Sequence, residues 1–203
     1  MPFKRRQPTK EINPLIYIFC EGETEQNYFQ ALKKDKRINL EIKCAKHSAP
    51  RSILKEAEKI LQKEEAGSIA EDRIYCVYDT DNKCEGDIIP KENIPEKIKI
   101  ILSKPCFEFW VLLHFMPAKT TPCFANCKEV ETRLNEKISE YNKRNKTKLK
   151  SYDKPNYDFA SILPLTQKAL KNAKEAAKEF QKDNKTQPYT DIFEIIESIE
   201  SIS

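Results

Sequence analysis

Glycine is scarce in this chain, three residues in 203. That excludes a Gly-rich phosphate-cradling loop of the P-loop or dinucleotide type. Apolar runs are short, and none approaches the roughly 18 residues of a membrane span. No secretory h-region follows Lys4, Arg5 and Arg6. There is no CxxC spacing, so Cys106, His114, Cys123 and Cys127 do not read as a zinc site. Seven cysteines is an odd number, and Cys20, Cys76 and Cys106 lie in apolar runs. That usage predicts reduced, buried thiols and a cytoplasmic protein rather than a disulfide framework. Repeats and heptads are absent. The formal net charge is only +4 with a third of the residues charged, so any nucleic-acid contact must be a local basic surface.

What is present fills one domain with a sizeable core and a helical addition. Arg73-Ile-Tyr-Cys-Val-Tyr-Asp-Thr-Asp81 is the central stretch. Residues 74 to 78 are almost uninterruptedly apolar, which predicts a buried strand of a parallel sheet. The run stops at two carboxylates, Asp79 and Asp81. Ligands of open α/β sheets sit beyond the carboxyl ends of the strands, and paired acids there repel unless a cation lies between them.

In chain order, residues 1–13 read as a mobile basic arm. Leu15 to Cys20 predicts a strand, and Thr24 is placed to cap a helix running to about residue 35. Glu25 shares the inward face of that helix with Tyr28, Phe29 and Leu32. Ile38 to Cys44 predicts a strand, and Pro50 to Glu65 a helix. Lys97 to Ser103 predicts a fourth strand. Pro105 then opens a buried helix, Cys106 to Phe115, in which Glu108 is a first-turn carboxylate needing a partner. His114 reads as a hydrogen-bonded core histidine. The boundaries are a α/β domain over 14–117 and a helical region packed on it over 118–203. In the latter, Asn126 to Asn145 predicts an amphipathic helix ending in Lys143, Arg144, Lys146, Lys148 and Lys150. Cations favour helix C-termini, but five within eight residues also suit phosphate contact. Residues 161–182 predict another helix, and Thr190 a cap for a last one.

If the sheet is parallel, Glu21, Glu25, Asp79, Asp81, Ser103 and Glu108 share one rim. Hard oxygen ligands without Cys or His partners select Mg²⁺ or Mn²⁺, and carboxylate-held Mg²⁺ usually engages phosphate.

Cys20-Glu21-Gly22-Glu23-Thr24-Glu25 with Tyr28-Phe29, followed by Asp79-Thr80-Asp81, resembles the Toprim domain. Ser103-Lys104-Pro105-Cys106-Phe107-Glu108-Phe109-Trp110, with His114-Phe115 after it, resembles the RloB-like Toprim family, as does Gln187-Pro188-Tyr189-Thr190. The resemblance implies a Rossmann-like, mainly parallel sheet of about four strands with a C-terminal helical extension. It implies a metal-dependent nuclease of bacterial phage-defence loci, acting on DNA or RNA, tRNA included, beside an AAA- or ABC-type ATPase; a homodimer is compatible with it. Likeness to nucleases of the overcoming-lysogenization-defect class implies metal roles for Glu21, Glu25, Asp79, Asp81, Ser103 and Glu108. It gives Glu21 acid–base chemistry, and Lys104 is the nearest candidate for the basic residue that assists catalysis in such nucleases. The chain departs from the pattern where a loop over 84–95 replaces a helix, and where Gln187 replaces Asn.

The alternative is a non-catalytic Toprim module that binds nucleic acid or regulates a partner ATPase. The set of mutually repelling acids favours the enzyme. A receiver or haloacid-dehalogenase-like phosphotransfer domain is disfavoured, because the DxD follows the third strand and not the first.

Overall fold

The structure, a computed structural model, describes residues 15–45, 49–65, 73–80, 89–182 and 188–202, the side chains of 63–65 excepted. The basic arm up to residue 14, Asp81, residues 84–88 of the loop over 84–95, and Gln187 lie outside the described residues.

Four apolar runs form the parallel strands β1 (Ile16–Cys20), β2 (Leu40–Cys44), β3 (Arg73–Asp79) and β4 (Ile98–Lys104). Every residue of β1 is buried, as expected of a strand covered on both faces. Alternation along the strand divides them. Tyr17 and Phe19 pack with Ile53, Leu54 and Ala57 of α2 (Pro50–Glu65). Ile16, Ile18 and Cys20 face α1 (Glu23–Lys36) and the larger core beyond it.

Sheet order is β2-β1-β3-β4-β5. The first four strands pair in parallel, and β5 (Tyr189–Thr190) joins β4 antiparallel. This short antiparallel strand adds to the mainly parallel sheet of about four strands that the sequence predicts. Two residues are too few to leave an alternating pattern. Thr190 is therefore a strand residue, and Asp191 is the N-cap of α6 (Ile192–Glu200), although the Thr190 hydroxyl still accepts the Ile192 N–H at 3.3 Å.

Two other helix starts differ from expectation. Gly22, not Thr24, is the N-cap of α1. A Cβ on Gly22 would stand 3.0 Å from Glu25 Oε2, so the glycine lets that carboxylate fold back over the helix start. The apolar run after β4 forms only a short helix, α3 (Glu108–Leu112), and continues as turns to Met116. Asn172, buried on α5 (Thr166–Lys182), donates from Nδ2 to the carbonyls of Leu113 (2.8 Å) and Met116 (3.0 Å), satisfying the end of that segment.

Helix α4 (Cys127–Asn145) begins with an asparagine cap, and its third residue, Glu129, reaches back to the residue before that cap. The Glu129 N–H donates to Asn126 Oδ1, and the Ala125 N–H to Glu129 Oε2. Beyond Lys146 the chain returns along the helix. Asn142 exchanges hydrogen bonds with both backbone groups of Leu149, and Asn135 does the same with Tyr152. These two asparagines, seven residues apart, stand on one helix face, so their amides act as ladder rungs for an extended segment. The hydrophobic core runs from Ile16 to Ile199. The C-terminal region thus completes the same core and closes one sheet edge.

Removing the Asn172 amide leaves two buried carbonyls without donors. Asn172→Ala is expected to lower stability by about 1–3 kcal/mol, read as a fall in the urea midpoint at unchanged m-value.

Candidate functional site

Parallel pairing places the carboxyl ends of β1, β3 and β4 on one edge. There the Asp79 N–H donates to Glu21 Oε2 at 3.2 Å. The acids after β1 and β3 are thus in contact, as the topology predicts. Asp79 and Ser103 are partners in the β3–β4 register, so both side chains leave the same face of the sheet. Ser103 is fully buried, and its hydroxyl pairs with Thr190 Oγ1 at 2.8 Å. That bond fastens β5 to the rim.

Glu25 is 5% exposed. Among the described residues it forms no ion pair with Lys or Arg. Its pKa is pushed up to about 7, first by burial and then by the charges of Glu108 and Glu21; its own backbone N–H and Lys154 pull the other way. A carboxyl held so far from its ordinary range by burial, and further by like charges, is one whose ionised form a divalent cation would favour. Glu21, Glu25 and Asp79 are all hard oxygen donors, the ligand type that Mg²⁺ and Mn²⁺ take, while the residues gathered at ligand spacing among those described are Cys106, Glu108 and Cys127.

Glu108 has a different environment from the one its sequence context suggests. It is 2% exposed, yet it does not stand alone. Tyr152 donates its hydroxyl to Glu108 Oε1 at 2.8 Å, and Lys154 Nζ lies 2.8 Å from the same oxygen. Lys154 also bridges to Glu131 Oε1 at 2.8 Å. The cation beside Glu108 is therefore an ammonium from the loop after α4. Burial works against the charged lysine, but hydrogen bonds to Glu108 and Glu131 outweigh it and hold the pKa above the ordinary lysine range. Burial, and next the Glu108 charge, push the Tyr152 phenol up as well.

Lys154 is the basic residue nearest the buried acids that sequence reasoning missed. Its only signal was the Tyr152-x-Lys154 spacing in a loop otherwise rich in Asp and Pro. The asparagine ladder delivers it, and that ladder is invisible to periodicity. Lys104 is directed elsewhere: its ammonium stands 5.6 Å from the Phe180 ring, which stacks on Tyr189. Strand alternation explains this, because Lys104 follows Ser103 and leaves the opposite face.

The cysteines also depart from the expected all-thiol state. Cys106 and Cys127 form a disulfide with their Cα atoms 5.7 Å apart, across 21 residues of sequence. Among the described residues, Cys20, Cys44, Cys76 and Cys123 are not disulfide-bonded. His114 is a core histidine as expected. Its Nδ1 meets the carbonyls of Trp110 and Val111, and burial lowers its pKa to about 4.

Lys143, Arg144 and Lys146 lie at the far end of α4 from this site. Cys127 and Lys143 are 16 residues apart on that helix, which corresponds to about 24 Å along its axis. The basic segment, with Lys148 and Lys150 beyond it, is thus a remote surface.

A five-stranded, mostly parallel sheet flanked by helices, with Glu21 and Asp79 in contact at its C-terminal edge, defines a Rossmann-like α/β protein. The chain belongs to the RloB-like protein family, whose model matches residues 16–199. No curated protein matches the chain, and no solved structure does. Among the described residues no helix is long and apolar enough to cross a membrane.

Two outcomes are expected from the electrostatics. The folded pKa of Glu25 lies above its reference value of 4.5, so the native state binds more protons than the unfolded chain between about 4.5 and 7. Stability should fall as pH rises through that window and level off above it. Glu25→Gln should flatten the profile and gain on the order of 3 kcal/mol at pH 8 in metal-free buffer, measured by urea unfolding. Lys154→Met should cost about 1–3 kcal/mol by removing one of the two groups that satisfy Glu108, and adding Glu108→Gln should recover part of that loss in a double-mutant cycle.

Proposed function

We propose that this RloB-like protein is a Toprim-type, Mg²⁺- or Mn²⁺-dependent nuclease that hydrolyses phosphodiester bonds of DNA or RNA in phage defence, triggered with an ATPase partner. The observation that carries the reading is the buried Glu25 carboxyl, set against Glu21 and Glu108 with no Lys or Arg ion pair among the described residues. A fold that only needed a scaffold would have no use for it, since a buried carboxylate costs stability.

Glu21, Glu25 and Asp79 would hold the cation, with Asp81 following on the chain. Bound there, a divalent ion lowers the pKa of a coordinated water and offsets charge on the phosphoryl oxygens. Glu21 is oriented by the Asp79 N–H and is placed to accept or return a proton at its carboxylate. Lys154, 42% exposed along its side chain, extends its ammonium from Glu108 toward solvent and can meet a phosphate oxygen. The remote basic segment would hold the same strand further along. At one phosphate per 3.4 Å of strand, about 24 Å corresponds to roughly seven nucleotides.

The test is cleavage of plasmid, single-stranded DNA and total tRNA by purified protein, with and without a neighbouring ATPase. Cutting should require Mg²⁺ or Mn²⁺ and vanish in Glu21→Ala and Asp79→Ala. Neutralising Lys143, Arg144 and Lys146 together should weaken substrate binding, flatten its salt dependence and leave metal affinity unchanged. Absence of any cut substrate, together with absence of Asp79-dependent metal binding by calorimetry, would hand the protein to the regulatory-module reading.

A further inference from the structure

The Cys106–Cys127 pair lies beside Glu108 and Glu131, neither of which holds the cation proposed at Glu21, Glu25 and Asp79. Cys127 Sγ is 3.0 Å from Glu108 Oε2 and 3.7 Å from Glu131 Oε1. Ligand atoms of Cys106, Glu108 and Cys127 all lie within 4.8 Å of one another. Around Zn²⁺, sulfur ligands stand at about 2.3 Å and carboxylate oxygens at about 2.0–2.2 Å, so a tetrahedral set has edges of about 3.4–3.8 Å. The sulfur–oxygen spacings are already close to that shape. Only the covalent contact between the two sulfurs departs from it.

A cation already sits against this ligand set. Lys154 Nζ is 2.8 Å from Glu108 Oε1, 2.8 Å from Glu131 Oε1 and 3.7 Å from Cys127 Sγ. Cys106 and Glu108 are each 2% exposed, while Cys127 is half-buried and leaves a way in. Thiolates with carboxylates favour a softer ion than Mg²⁺.

We propose that Cys106, Cys127, Glu108 and Glu131 form a second metal site, for Zn²⁺ or a similarly soft divalent cation, which opens when the Cys106–Cys127 bridge is reduced. A dithiol reductant supplies two electrons and two protons, the S–S bond breaks into two thiols, and the reductant leaves as its own disulfide. Metal entry then releases both thiol protons. Disulfide and metal are alternative cross-links between the start of α3 and the start of α4. The site goes beyond the nuclease reading and is read through sulfur, so either can fail without the other.

The experiment uses the full chain, reduced with dithiothreitol and desalted without oxygen, beside the same chain oxidised with glutathione disulfide. Each is titrated with Cd²⁺ as a spectroscopic stand-in for Zn²⁺. The reduced protein should take one equivalent with a sulfur-to-cadmium charge-transfer band, and Zn²⁺ should displace it. The oxidised protein should lack the band although its five other cysteines remain. Cys127→Ser should lose the band in the reduced state. A band of equal strength in both redox states, no band in the reduced protein, or a band retained in Cys127→Ser overturns the assignment. If Cys127→Ser does not fold by circular dichroism, the comparison of the two redox states of the unaltered chain decides alone.

Discussion

Parallel pairing of β1, β3 and β4 is the constraint on which the rest depends. It forces three strand ends to one edge and brings Glu21 against the backbone of Asp79. The same pairing sends Glu25 inward, because α1 must lay its apolar stripe on the sheet. A buried carboxyl follows from the topology. The antiparallel β5 adds a hydroxyl bond to Ser103 and fixes the rim at β4.

Around that edge, two devices manage negative charge. Glu25 is accommodated by a glycine that admits its side chain and by a shift toward the protonated form. Glu108 is accommodated by Tyr152 and by Lys154, carried in from a segment more than 40 residues later. The second device is structural as well as electrostatic, since the asparagine ladder that positions Lys154 also secures the loop to α4. A disulfide beside Glu108 ties α3 to the start of α4, so helices, loop and sheet edge meet around one carboxylate.

Much of this was legible in the residues. The four apolar runs predict the four parallel strands within two or three residues, because strands buried on both faces have little latitude in composition. Helices α2 and α4 fall where their periodicity places them. Glu21 and Asp79 meet because strand ends in a parallel sheet must. The buried histidine was foreseeable from an apolar helix with a single imidazole. By contrast, β5 is too short to carry a pattern, and the carbonyls exposed where α3 ends early are met by Asn172, some 60 residues away.

The sequence by itself determined the sheet, the helical layers and the edge on which the acids gather, since each follows from local periodicity and from the handedness and direction of strand crossovers. Only the tertiary structure decided which charges are neutralised and by what. Lys154 on Glu108, Thr190 on Ser103, Cys106 with Cys127 and Lys104 turned toward Phe180 are all long-range pairings. They arise from where loops return, and the physical reason is that side-chain partners across a fold are selected by packing geometry, which no local pattern encodes.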